Sequence, residues 1–265
     1  MTDADSDAGR DAGDRANGAA GGDADGATDD YDFLRDAVAP DRVSVDEYAR
    51  AERAGDWGTH PEDEVEPDVV VWPTATDEVA AVLAGAHERG VPVTPYAAGT
   101  GLEGNAVPAE RGISMDLTRM NDVVEFRPAD RQVDVQPGVL GSEVDEAVAD
   151  EGLFFPPLPS SGDISTVGGM IATDASGMQT VKYGEVADWV LELEAVLADG
   201  TVVSAGSKAA KTSAGYNLKD LLVGSEGTLA VVTRATLELA GRPRQTRGGR
   251  AVFADLEDAG AAIAD

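Results

Sequence analysis

The spacing of apolar residues changes character along this chain. Residues 1 to about 30 are Asp, Gly and Ala with almost nothing large and apolar, so they cannot bury a core, and a disordered acidic tail is expected there. Order is expected from YDFLRDAV (31–38), which has helical spacing. PDVVVWP (67–73) reads as a strand. TDEVAAVLAGAHERG (76–90) reads as an amphipathic helix with Thr76 as its cap, apolar residues at 79, 82, 83 and 86, and a terminal Gly90. VPVTPY (91–96) and GISMDL (112–117) add two strands and complete a small β-α-β unit. Beyond them alternation takes over. VVEFRP (123–128) and RQVDVQPG (131–138) predict a hairpin, and SEVDEAVADEG (142–152) a helix capped by Ser142. VLELEAVLADGTVVS (190–204) alternates on both sides of an Asp199-Gly200 turn, and GTLAVVTRATLEL (227–239) is a long strand. There is no internal repeat.

Within this frame TPYAAGTGLEGNAVP (94–108) carries Gly99, Gly101 and Gly104 in a G-x-G-x-x-G pattern. A nicotinamide-binding turn of that kind needs a strand before it and a helix opening at the glycines. The strand is present, but Gly104, Asn105 and Pro108 stand where the first helical turns would run. The nicotinamide reading is therefore rejected. A glycine-rich loop between strands remains, with positive φ expected at Gly101; such a loop can aim several backbone N–H groups at one anion. FPPLPSSGDISTVGGMIATDASGMQTVKYG (155–184) is a second glycine- and serine-rich passage with little periodicity. Loops this long inside a compact domain are usually functional. Met170, Ile171, Met178 and Tyr183 among its glycines favour contact with a buried, extended cofactor over a mobile surface loop. KTSAGYNLKDLLVGSEGTLAVVT (211–233) adds Ser225, Glu226 and Gly227 before the last strand.

Composition narrows the classes. There is no cysteine, which excludes disulfides and thiolate chemistry, and the two histidines, His60 and His87, cannot make an all-histidine metal site. No apolar run approaches the roughly 20 residues of a membrane span, so no transmembrane segment is expected. MTDADSDAG lacks the basic and apolar regions of a signal peptide, and a cytoplasmic location is expected. Fifty acidic against twenty basic residues give a net charge of −30, which argues against nucleic-acid and anionic-membrane partners. A cation-binding surface and adaptation to high salt both account for that charge; its spread along the whole chain favours the salt reading.

The glycine loop, VQPGV (135–139), STVGGMIATDASGMQTVKYG (165–184) and AGYNLKDLLVGSEGTLAVVT (214–233) together resemble the FAD-binding half of the vanillyl-alcohol oxidase/p-cresol methylhydroxylase superfamily. Within it the similarity is to the D-lactate dehydrogenase and glycolate oxidase flavin-subunit branch. The resemblance implies an α+β PCMH-type fold of two subdomains with FAD between them, over residues 31–241. It implies that Ala97, Ala98, Gly99, Thr100, Gly101 and Leu102 hold the FAD pyrophosphate through backbone amides. It places Pro137 and Gly138 along the cofactor channel, and Thr166, Gly168, Gly169 and Met170 against the isoalloxazine and ribityl chain. Ser176, Gly177, Tyr183 and Gly184 would border the flavin, and Glu226, Gly227 and Val232 would close the other side of the dinucleotide. With no Cys, and no His near residues 94–108, the FAD is expected to be noncovalent. Ala97 and Ala98 depart from the usual glycines, and Leu158 stands where the family often has Asp.

The family's chemistry is oxidation of a small D-2-hydroxy acid such as D-lactate or glycolate, with no indication here of the electron acceptor. Residues 242–265 resemble the start of the family's C-terminal cap domain, which in the family supplies the substrate pocket, the proton-abstracting histidine and any metal. Neither His60 nor His87 lies in a matching motif. No catalytic and no metal-ligating residue is therefore assigned, and a partner chain carrying the cap is one expectation, a truncated or noncatalytic FAD-binding subunit another. His87, late on its helix, suits a surface or helix-dipole role.

Overall fold

The valine run 69–71 is completely buried, and a strand buried on both faces needs sheet neighbours and a cover. Both are present in a computed structural model that describes residues 31–209 and 211–264; the expected acidic tail lies outside the described residues. The first half of the chain runs α1 (Leu34–Ala37), β1 (Val43–Ser44), α2 (Glu47–Ala51), β2 (Val69–Val71), α3 (Thr76–Arg89), β3 (Val93–Tyr96) and β4 (Ile113–Asp116). Its sheet has the order β1-β2-β4-β3, with β4 parallel to both neighbours and β1 antiparallel at the edge. Helix α3 makes the crossover that parallel strands require. It buries Val79, Val82, Leu83 and Ala86, as its spacing predicted, and ends on Gly90 at φ 65°. The cap differs from expectation. Ala75 occupies the cap position, and the Thr76 hydroxyl donates instead to the Glu194 carboxylate at 2.7 Å. Thr76 lies one residue inside the helix, where a contact to the second sheet outcompetes capping.

The second half runs β5 (Val123–Arg127), β6 (Gln132–Val135), α4 (Gly141–Val148), β7 (Leu153–Phe154), α5 (Val167–Ala172) and α6 (Thr180–Tyr183). It continues through β8 (Val190–Val196), β9 (Val202–Gly206), α7 (Leu218–Leu222), β10 (Val231–Glu238), β11 (Ala240–Gly241) and α8 (Leu256–Ala264). Strands β5, β6, β10, β8 and β9 form, in that order, an antiparallel sheet; β7 pairs with β11. Both predicted hairpins are present, and β10 inserts between them. Val133, Val135, Val144, Val148, Phe155, Ile171, Leu193 and Leu237 lie in the core that this sheet shares with α4 and α5. Ser142 does not cap α4. Leu140 holds the cap position, and the Glu143 carboxylate accepts its N–H at 2.8 Å.

The alternation of β6 places Asp134 on the face opposite Val133 and Val135, and that face is closed too. Asp134 accepts from Arg127 at 2.5 Å, Lys208 and Arg234 at 2.7 Å, and the Thr236 hydroxyl at 2.8 Å. Burial alone would raise its pKa, but the hydrogen bonds from Arg127, Lys208, Thr236 and Arg234 win and hold it well below the usual carboxylate range.

Candidate functional site

The glycine-rich loop leaves the C-terminal end of β3, the end of a parallel strand at which open α/β sheets bind ligands. Two of its glycines are required by conformation. Gly99 and Gly104 sit at φ 62° and 79°, and a Cβ on Gly99 would come within 2.4 Å of the Tyr96 hydroxyl. Gly101 does not have positive φ, contrary to expectation; its restriction is one of space, with Asn105 Oδ1 2.9 Å and Asp56 Oδ2 3.2 Å from where a Cβ would be. Nor do Ala97 and Ala98 have positive φ, so alanine replaces glycine there without left-handed strain.

What orients the loop is a segment from elsewhere in the chain, GDWGT (55–59). The amides of Trp57 and Gly58 donate to the carbonyls of Gly99 (3.0 Å) and Gly101 (3.2 Å). In a trans peptide the C=O of one residue and the N–H of the next point in opposite directions. Fixing the Gly99 carbonyl on the 57–58 side therefore turns the Thr100 N–H to the other side. Among the described residues the amides of Ala98, Gly99, Thr100 and Gly101 meet no protein acceptor. Residues 97–102 all line one cleft of about 350 Å³.

The opposite wall comes from the second half of the chain. The passage 155–184 is not all loop: α5 lies within it, with Val167, Met170 and Ile171 buried. The first amides of α5 are already used, Val167 on Val139 O (2.7 Å), Gly168 on Pro137 O (2.7 Å) and Gly169 on Thr166 Oγ1 (3.2 Å). These residues thus present close backbone, not free donors. Glu226, at φ 54°, donates its N–H to Ala172 O at 2.8 Å, and Gly224 donates to Ile171 O at 3.0 Å, which ties the 224–227 turn to α5. Thr100 Oγ1 and Ser165 Oγ, 3.0 Å apart, bridge the two walls.

Of the residues singled out from the sequence, Ala97 to Leu102, Pro137, Thr166, Gly168, Gly169, Met170, Ser176, Glu226, Gly227 and Val232 line this cleft. Gly138, Gly177, Tyr183 and Gly184 do not. Gly138 lies under the wall, where a Cβ would be 2.5 Å from Leu117 O, and Gly177 lies against Leu158 O, 2.3 Å from where its Cβ would be. The Tyr183 ring packs edge-on to Phe154 and Trp189. Gly184 adopts φ 79° beside Asp188. Leu158, in place of an Asp, packs against the core.

The charge of the cleft decides what can bind phosphate in it. Glu103, Asp174 and Glu226 line it, with no Lys, Arg or His among the lining residues. Among the described residues an anion here meets only neutral donors, side chains such as Asn105, Ser161 and Ser176 and backbone N–H groups, and four free amides on one loop are a set of donors suited to a pyrophosphate. An ionic cluster lies behind the loop. Asp116, buried at the end of β4, accepts from Arg53 Nε (3.0 Å) and Nη2 (2.8 Å) and from Trp72 Nε1 (2.9 Å). The Arg53 guanidinium lies over Trp72 and Tyr96, 5.2 and 5.7 Å from the ring centres. Burial raises the pKa of the Tyr96 phenol. Sequence reading missed Arg53, Asp56 and Asp116. Asp56-x-Gly58-Thr59 carries a turn signal, and Asp116 is the one carboxylate in the strand it ends, Ile113–Asp116.

A family model described as FAD binding domain matches residues 67–206. The chain belongs to this FAD binding domain family, and its cofactor is FAD. Its sequence is 40% identical over 199 residues to glycolate oxidase subunit GlcD of Bacillus subtilis, covering 75% of this chain and 42% of that one. It is 45% identical over 191 residues to a D-lactate dehydrogenase of Archaeoglobus fulgidus, covering 72% and 43%. An alkyldihydroxyacetonephosphate synthase structure superposes with a TM-score of 0.71 at 28% identity, over 80% of this chain and 44% of that one. The structure of 4-ethylphenol oxidase from Gulosibacter chungangensis shares the fold with a TM-score of 0.71 at 23% identity, over 85% and 45%. The chain thus spans less than half the length of these relatives.

Proposed function

We propose that this chain is the FAD-holding portion of an oxidoreductase that acts on a small D-2-hydroxy acid, D-lactate or glycolate in type. One observation carries the reading: a cleft lined by no cation among the described residues presents the free amides of residues 98–101, in a chain similar to proteins named for these two substrates. When bound, FAD would supply a two-electron acceptor, with N5 as the hydride-accepting atom, for oxidation of the 2-hydroxy acid to a 2-oxo acid, the hydroxyl proton passing to a base. The residues of this chain bind and orient. The loop at 97–102 holds the pyrophosphate, and α5 with the 224–227 turn forms the facing wall. Residues 31–241 make up the FAD-binding domain. Residues 242–264, with Val252, Leu256 and Ile263 84, 87 and 87% exposed, are the first elements of a cap domain that supplies the substrate walls and the base. The FAD is noncovalent.

The test is to purify the chain, precipitate it with acid, and titrate the native protein anaerobically with D-lactate, D-2-hydroxyglutarate and glycolate. All flavin should appear in the supernatant as FAD. Bleaching by a 2-hydroxy acid should require a cap domain added in trans or in the same chain. Bleaching by residues 1–265 alone would place the base and the substrate walls within them and overturn their assignment to the cap.

A further inference from the structure

The segment Gly55–Thr59 makes no part of the cleft lining, yet it contacts the amide-bearing loop at three points. Two are the backbone bonds to the Gly99 and Gly101 carbonyls already described. The third is Asp56 Oδ2, which accepts the Gly104 N–H at 2.8 Å. The other carboxylate oxygen holds the segment itself: Asp56 Oδ1 accepts from Gly58 N at 3.0 Å and from Thr59 Oγ1 at 2.7 Å, and the Asp56 N–H donates to Thr59 Oγ1 at 2.9 Å. The approach is too close for a side chain, since a Cβ on Gly58 would meet Leu102 O at 2.2 Å. A carboxylate directly behind a phosphate-binding loop opposes anion binding by its charge, so its placement calls for a compensating role.

We infer that Asp56 is a positioning residue for the pyrophosphate loop: it locks segment 55–59, which holds the Gly99 and Gly101 carbonyls to the rear and so leaves the Thr100 N–H turned toward the cleft. This rests on the FAD reading above and deepens it. Two effects of Asp56 on affinity have opposite signs. Coulomb repulsion predicts that Asp56→Asn tightens FAD binding, because a negative charge near the phosphates disappears. Positioning predicts that it weakens binding. The Asn amide keeps one acceptor oxygen, and whichever way it turns its NH2 faces a backbone N–H, that of Gly104 or that of Gly58, so one of these bonds is lost. Loss of a bond to a charged acceptor corresponds to roughly tenfold or more in affinity.

The experiment measures dissociation constants of FAD, ADP and riboflavin for the full 265-residue chain, stripped of flavin, in molar KCl. It compares the wild type with Asp56→Asn and with Thr59→Val, which removes the hydroxyl bonded to Asp56 without changing charge. Circular dichroism of each apo-protein checks folding. Asp56→Asn should weaken FAD and ADP by a similar factor, roughly tenfold. Thr59→Val should weaken both by less, and riboflavin, which has no phosphate, should change in neither variant. Unchanged or tighter FAD binding in Asp56→Asn would overturn the inference while leaving the FAD reading intact. An equal loss for riboflavin would reduce Asp56 to a general structural role and overturn it too. Should Asp56→Asn fail to fold, Thr59→Val decides alone, with unchanged FAD and ADP binding counting against the inference. A wild-type chain that takes neither FAD nor ADP would overturn the FAD reading itself and this inference with it.

Discussion

Substitution of Gly101 separates a phosphate-binding loop from an ordinary turn. Because Gly101 does not have positive φ, a side chain there brings no left-handed strain and its effect comes from space. A Cβ would stand 2.9 Å from Asn105 Oδ1 and 3.2 Å from Asp56 Oδ2. The end of the Asn105 side chain can swing away at little cost. Asp56 cannot follow without lengthening its 2.8 Å bond to the Gly104 amide. For Gly101→Ala the expected penalty is at the low end of overpacking, about 1 kcal/mol. The two γ-carbons of Gly101→Val force the loop off segment 55–59, and loss of the carboxylate–amide bond alone corresponds to roughly 1.5–3 kcal/mol. That is about ten- to a hundredfold in the FAD dissociation constant. Flavin fluorescence quenching on titration of the apo-protein measures the affinity, and thermal melting followed by circular dichroism reports the fold. Gly152→Ala is the control. Gly152 has φ 67°, no other described residue lies within 4 Å of where its Cβ would be beyond its chain neighbours, and it does not line the cleft. It should lose about 1–2 kcal/mol of stability through left-handed strain and keep its FAD affinity. Wild-type stoichiometry and affinity in Gly101→Val would refute the loop assignment, as would an equal loss of FAD in Gly152→Ala.

Further outcomes follow from charge. With a net charge of −30 and an acidic cleft, FAD retention and melting temperature should both rise from dilute buffer to molar KCl, since at about 1 M salt the Debye length is only ~3 Å; a flat profile would argue against salt adaptation. Hydrogen bonds from Arg42 lower the Glu78 pKa from 4.5 to about 2. The stability this confers is complete above the unfolded pKa and is lost as pH falls from 4.5 toward 2. Melting temperatures taken across that window should fall more steeply for the wild type than for Glu78→Gln, and parallel curves would refute the coupling. Asp134→Asn should cost about 2–3 kcal/mol in urea unfolding. The figure is kept low because Lys208 and Arg234, 41 and 39% exposed, can turn to water; a loss below about 0.5 kcal/mol would show that the cluster contributes little.

Much of this molecule was legible in its sequence because the signals are local. The spacing of Val79, Val82, Leu83 and Ala86 is enough to bury one face of α3, and alternation about Asp199-Gly200 is enough for the β8–β9 hairpin. The missing helix after Gly99-x-Gly101 excluded a dinucleotide turn of the nicotinamide type, and four glycine-rich motifs pointed to FAD. The errors arose where a distant partner overruled a local preference. Thr76 reads as a cap, but Glu194 takes its hydroxyl across 118 positions of sequence. The glycines of 155–184 read as loop, but burial of Val167, Met170 and Ile171 against the second sheet makes a helix of them. Insertion of β10 between β6 and β8 could not be read from alternation, which sets the faces of a strand but not its neighbours. The direction of the Thr100 amide belongs to the same class. Glycine at 99 permits that peptide plane to turn either way, and the Trp57 amide, more than forty residues earlier, fixes which way it faces by holding the Gly99 carbonyl.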